Sequence, residues 1–124
     1  MIVGHYATAL IPYGRIPAAP LWLFLLAANL ADFLWFGLTR FGIEMPAPAS
    51  MWDATFRNIT VRMIYSHGVL PTLVLAVAFA AVVFAVYRHR EIAVWSGVLV
   101  IAHFLCDLLS GFEHELGTLK LGLN

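Results

Sequence analysis

Three long apolar runs set the plan of the chain, at about residues 20–39, 66–87 and 92–112. Each is close to the ~20 residues a helix needs to cross the hydrocarbon core of a bilayer. The pattern therefore predicts an all-α integral membrane protein with three transmembrane helices in a single domain, residues 1–124. Ahead of them, Met1 to Tyr13 is apolar but too short to span. It reads as a short, partly inserted helix ended by Pro12, Gly14 and Pro17, with the turn GRIPAAP after it. Trp22, Trp35 and Phe36 flank the first span as an aromatic belt would. Residues 40–62 form a polar connection, extended at the proline-rich EMPAPAS, with a candidate interfacial helix from Trp52 to Ile64 capped by Asp53. YRHRE (87–91) is a tight basic turn, and the GTLKLGLN tail offers no further helix. The sequence shows no internal repeat and no sign of a discontinuous helix pair.

Composition sharpens this picture. Hydrophobic residues make up 62% of the chain and charged residues 11%, too little charge to cover a soluble domain of 124 residues. Seven basic and seven acidic residues cancel, so nothing points to nucleic acid. The single cysteine, Cys106, excludes an internal disulfide and a cysteine-rich metal site. No basic, cleavable leader opens the sequence. By the positive-inside rule the loop 88–91 faces the cytoplasm, with Arg15 on the same side; Arg40, Arg57 and Arg62 on the opposite connection weigh against this orientation.

The chemistry lies where the apolar pattern is broken. An ionisable group at the centre of a span costs about 2.5–3.5 kcal/mol even on insertion scales, so it needs a partner, a cavity or a cation. Asp32 interrupts the first span three residues after Asn29, His67 stands at the entrance to the second, and His103 and Asp107 lie one turn apart in the third. His5 is the ionisable side chain of the N-terminal segment and, if GRIPAAP reverses the chain, rises back beside Asp32. His114 would extend the His103–Asp107 stripe were the third helix to run that far. Counted at 1.5 Å per residue, these groups converge in the outer half of the bilayer. Each has a structural reading too, as a hydrogen bond between helices or an interfacial histidine.

The set His5, Asp32, Ser66–His67 and HxxxD at 103–107 resembles the membrane-bound metal-dependent hydrolase family that includes the LexA-regulated inner-membrane protein, and a related group of bacterial membrane proteins. The resembling segments are GHYATAL, LAANLADFLW, YSHGVL, AHFLCDLLS and the tail LKLGLN, in order along nearly the whole chain. Two departures stand out. Relatives carry a histidine four residues after the HxxxD aspartate, where this chain has Gly111, and they continue into further helices, as if this were a truncated member.

The resemblance implies a divalent cation, Zn²⁺ by preference, held by His5, Asp32, His67, His103 and Asp107. It also implies hydrolysis of a lipid or lipid-linked ester or phosphoester at a bacterial inner membrane. Asn29, Arg62 and His114 are candidates to orient the substrate or support the ligands. The competing expectation is a non-catalytic subunit or scaffold in a homo-oligomer or a larger membrane complex, its histidines contacting haem or another pigment. Against a pigment, the two aspartates favour a hard or borderline cation. A proton- or ion-conducting element is the third expectation.

Overall fold

A computed structural model describes residues 2–44, 46–47, 60–61, 65–109, 114–116 and 119–121, with side chains for 4–44 and 65–109. Helices dominate the described residues: α1 (Ile2–Thr8), α2 (Leu10–Arg15), α3 (Leu21–Ala28), α4 (Leu30–Arg40), α5 (Val69–Tyr87) and α6 (Arg90–Leu109). Two short antiparallel strand pairs join them. β1 (Pro46–Ala47) pairs with β2 (Thr60–Val61), and β3 (His114–Leu116) pairs with β4 (Leu119–Leu121).

Helices α5 and α6 are long and apolar enough to cross a membrane. Their 19 and 20 residues give lengths of about 28 and 30 Å at 1.5 Å per residue. The connecting turn is Arg88–His89, with Arg88 in the left-handed region at φ 54°. Two residues suffice because that conformation stops α5 abruptly and the chain re-enters a helix at Arg90. The hairpin packs closely along small residues. A Cβ placed on Gly97 would lie 3.2 Å from both the Ala76 carbonyl oxygen and the Ala80 Cβ. Outward, α5 presents Leu70, Leu73, Val74, Val77, Val82, Phe84 and Val86, an apolar face suited to lipid.

The first apolar run departs from the expected single span. It is a bent pair, α3 and α4, turning by 57° at Asn29. The cause is local. The Asn29 side-chain Nδ2 donates to the Leu25 carbonyl at 3.1 Å, competing with the helical ladder, and the residue leaves helical geometry at φ −125°, ψ 16°. Asn29 is buried, which is where a membrane protein tolerates broken backbone. Asn29 and Asp32 therefore do not share one uninterrupted helix face.

The N-terminal run is also split. Pro12 has no N–H to offer the Thr8 carbonyl and its ring crowds that oxygen, so α1 stops at Thr8. Helix α2 carries Pro12 and Gly14 within it and ends at Arg15, before Ile16 and Pro17, two residues beyond the expected stop.

The interfacial helix expected at 52–64 is contradicted at Thr60–Val61, which is strand; β-branched side chains suit that conformation. Its remaining residues, Asp53, Arg57 and Arg62 among them, lie outside the described set. The third span starts at Arg90 and is described as helix to Leu109, and His114 lies in a strand. The stripe does not continue to His114, whose side chain is outside the described set.

Leu23, Phe24, Ala27 and Ala28 of α3 pack with Leu99, Ile92 and Ala93 of α6 and Val83 of α5 to form the core, with Ala9 and Ala19 closing its N-terminal side. The Arg15 guanidinium stands 5.5 Å from the Trp95 ring centroid, which places the turn after α2 at the same end of the hairpin as Arg88–His89.

Candidate metal centre

The site sits at the opposite end of the hairpin. His103 and Asp107 occupy the last two turns of α6, on its buried face, and His67 lies in the bend that leads into α5. The break at Asn29 swings α4 so that Asp32, in its first turn, reaches the same point. Helix α1 folds back against α3 and α6 and inserts His5.

Both aspartates lie against the His67–His103 pair. His67 Nε2 and His103 Nε2 are 3.3 Å apart. Asp32 Oδ1 lies 3.4 Å from His67 Nε2 and 3.5 Å from His103 Nε2. Asp107 Oδ2 lies 3.4 Å from His67 Nε2 and 3.2 Å from His103 Nε2. His67 and His103 are 3% and 1% exposed and Asp107 7%, whereas the Asp32 side chain is 37% exposed. The centre is thus closed by the helices on most sides and open at Asp32.

The hydrogen-bond network fixes what the two imidazoles present. His103 Nδ1–H donates to the Ala28 carbonyl at 2.7 Å. That oxygen belongs to the last residue of α3, where helical carbonyls run out of intrahelical donors. His67 Nδ1 is 2.9 Å from Ser66 Oγ. Ser66 has one hydroxyl proton, and it goes to Glu44 Oε2 at 2.6 Å, so Ser66 Oγ accepts the Nδ1–H of His67. When neutral, both rings therefore carry their proton on Nδ1 and turn the Nε2 lone pair inward. Two lone pairs 3.3 Å apart repel unless a proton or a cation stands between them.

His5 is brought to the cluster but outside this quartet. Its Nε2 contacts Asp107 Oδ1 at 3.0 Å, and its ring stacks on His103 with centroids 4.0 Å apart. It is 3% exposed and faces the interior as expected, with Asp107 rather than Asp32 as its carboxylate. Asp107 thus faces His5 with one oxygen and the histidine pair with the other.

The donor types are ones that could hold a metal ion. The combinations Asp32, His67, His103 and His5, His103, Asp107 each bring three ligand atoms within 4.8 Å of one another. Two carboxylates and two neutral imidazoles sum to a charge of −2, which one divalent cation neutralises, offsetting the cost of burying Asp107.

Asn29, a sequence candidate for orienting substrate, is instead the buried pivot between α3 and α4, bonded to its own helix. Arg62 lies outside the described residues. Glu44 and the Ala28 carbonyl belong to the site's support and were not anticipated. A single glutamate in a polar connection carries no periodicity to mark it, and a backbone carbonyl has no sequence signal. No family model matches the chain, and no curated protein or solved structure matches it either.

Proposed function

We propose that the protein is a metal-dependent membrane hydrolase, with one divalent cation, Zn²⁺ by preference, held by His67, His103 and Asp107, and with Asp32 beside it as the general base. The carrying observation is the spacing of the donors. Ligand bonds of about 2.0–2.1 Å in a tetrahedron require donor–donor edges of about 3.3–3.4 Å. The five separations that involve a histidine nitrogen run from 3.2 to 3.5 Å.

When bound, such a cation lowers the pKa of a water toward about 7 and polarises an ester or phosphoryl oxygen. Hydrolysis needs one coordination position open. Asp32, its side chain 37% exposed, would flank that open side. In this reading Asp107, His67 and His103 are the permanent ligands. Asp32 Oδ1 takes the proton of the attacking water and returns it to the leaving oxygen. His5 holds Asp107 through Oδ1 and leaves Oδ2 turned toward the histidines.

A centre near the end of apolar helices meets amphiphiles first, which supports a lipid or lipid-linked ester or phosphoester as substrate. The motif resemblance supports the same class, together with a bacterial inner membrane as location and a cytoplasmic 88–91 turn. The pigment-bearing scaffold is less well supported: a pigment requires an imidazole with open space before it, and both Nε2 atoms here face each other and two carboxylates. A proton relay gains from the broken α3–α4 pair, which the sequence did not reveal. A relay, however, needs no pair of imidazoles and carboxylates at ligand-to-ligand spacing.

The test is Asp32→Asn, assayed on vesicles carrying ester and phosphoester lipids. The variant should keep its cation and lose turnover by at least about 100-fold, the usual scale of acid–base catalysis. Equal turnover in variant and wild type would remove Asp32 from the chemistry. A wild type inactive on both lipid classes, with zinc supplied, would count against the hydrolase.

A further inference from the structure

Glu44 stands on the polar connection, far from the apolar spans that carry the donors, yet it is 3% exposed. Its carboxylate takes three hydrogen bonds at the head of α5. Oε1 accepts the Tyr65 N–H at 2.6 Å and the Ser66 N–H at 3.1 Å, and Oε2 accepts the Ser66 hydroxyl at 2.6 Å. Strand pair β1–β2, which begins two residues later, ties the two ends of the connection together and holds Glu44 over the Tyr65–Gly68 bend.

We propose that Glu44 is a positioning residue that sets the tautomer of His67 through the Ser66 hydroxyl. The inference deepens the metal reading, because a ligating imidazole needs its second nitrogen held by a partner. The argument is a count of protons. A carboxylate has none to give, so Ser66 must direct its hydroxyl proton to Glu44. Ser66 Oγ is left with lone pairs only, and His67 must supply the proton on Nδ1. Nε2 is then bare and aimed at the centre. The chain Glu44–Ser66–His67 runs in one direction, set at its far end by the charge.

The variant Glu44→Gln reverses that direction with almost no change in shape. The two backbone N–H groups hold the glutamine Oε1 where the Glu44 Oε1 was, so its amide nitrogen replaces Oε2. That nitrogen donates to Ser66 Oγ, which turns its proton toward His67 Nδ1. His67 then carries its proton on Nε2, in the place a cation needs. Ser66→Ala removes the relay and leaves His67 to choose its tautomer, a milder defect. The double variant should therefore bind a cation better than Glu44→Gln alone, a rescue that a merely structural role for Glu44 does not produce.

Two measurements on the full chain in lipid nanodiscs decide the matter. The first is the ring ¹⁵N spectrum of the metal-free protein labelled at histidine, with His67 assigned by comparison with His67→Gln. Wild type should show a protonated Nδ1 and a bare Nε2, and Glu44→Gln the reverse. The second is titration with Co²⁺. Glu44→Gln should weaken binding 10–100-fold, Ser66→Ala by less, and the double variant should return to the Ser66→Ala value. A wild-type His67 protonated on Nε2, or a double variant no better than Glu44→Gln, overturns the proposal. If wild type takes up no Co²⁺, the metal reading fails, and the ¹⁵N spectra of wild type still decide for or against Glu44. Those wild-type spectra need neither Glu44→Gln nor Ser66→Ala to fold.

Discussion

Asp107→Asn isolates charge from shape at the centre. Asparagine keeps an oxygen able to accept from His5 Nε2, so the 3.0 Å contact and the packing of α1 survive. What goes is the negative oxygen that stands 3.2 and 3.4 Å from His103 and His67 Nε2. The quartet's charge falls from −2 to −1, and a bound divalent cation is left half compensated in a buried site. Loss of a partner outside the ligand shell costs 10–100-fold in metal affinity, so loss of a charged ligand should cost at least about 100-fold, or about 2.7 kcal/mol. Linkage carries this into stability. A cation at 100 times its Kd adds about 2.7 kcal/mol to the folded state, which for a chain of this size is roughly 10 °C in Tm. Thermal unfolding in detergent, with zinc and with chelator, reads it directly. Chelator should lower the wild-type Tm by that amount and leave Asp107→Asn almost unmoved. The reasoning is refuted if chelator shifts both proteins equally, because Asp107 then contributes no charge to the bound state.

Three further outcomes follow from the geometry. Gly97→Val should destabilise the α5–α6 hairpin by about 1–3 kcal/mol through overpacking, since a Cβ there already meets Ala76 and Ala80 at 3.2 Å. Gly37→Ala, where a Cβ meets nothing within 4 Å, should be neutral or stabilising, and equal Tm losses in both would argue against close packing at Gly97. Because cation and protons compete for the two Nε2 atoms, Co²⁺ affinity should fall with pH by up to about tenfold per unit for each proton displaced; binding unchanged between pH 8 and 5.5 would show that the histidines are not ligands.

Much of the site was legible because long apolar runs make polar residues conspicuous. His67, His103, Asp32 and Asp107 stand out against apolar runs, and the i, i+4 spacing of His103 and Asp107 puts both on one face of α6. That signal locates residues without saying how they meet. The meeting depends on the break at Asn29, read from the sequence as a polar interruption of a span and a candidate to orient substrate. Its effect comes from a side-chain bond to the Leu25 carbonyl, which competes locally with a helix that the surrounding leucines and alanines favour. The split between α1 and α2 was foreshadowed by Pro12 but misplaced. Proline disturbs the residue four before it as much as its own position, so the helix stops at Thr8 and resumes. Glu44 was illegible for a different reason: its role depends on a strand pair that brings 46–47 against 60–61, and pairings of that range leave no periodic trace in the chain.

The central claim is that His103 and Asp107 on α6 and His67 at the head of α5, with Asp32 of α4 beside them, hold one divalent cation. The most direct measurement is elemental analysis of the purified full chain, after zinc is added back and excess is removed, beside His103→Ala treated identically. The account expects about one zinc per wild-type chain, released by chelator with a fall in Tm, and none retained by His103→Ala. Wild type that retains no zinc after add-back, and whose Tm does not respond to chelator, would contradict it.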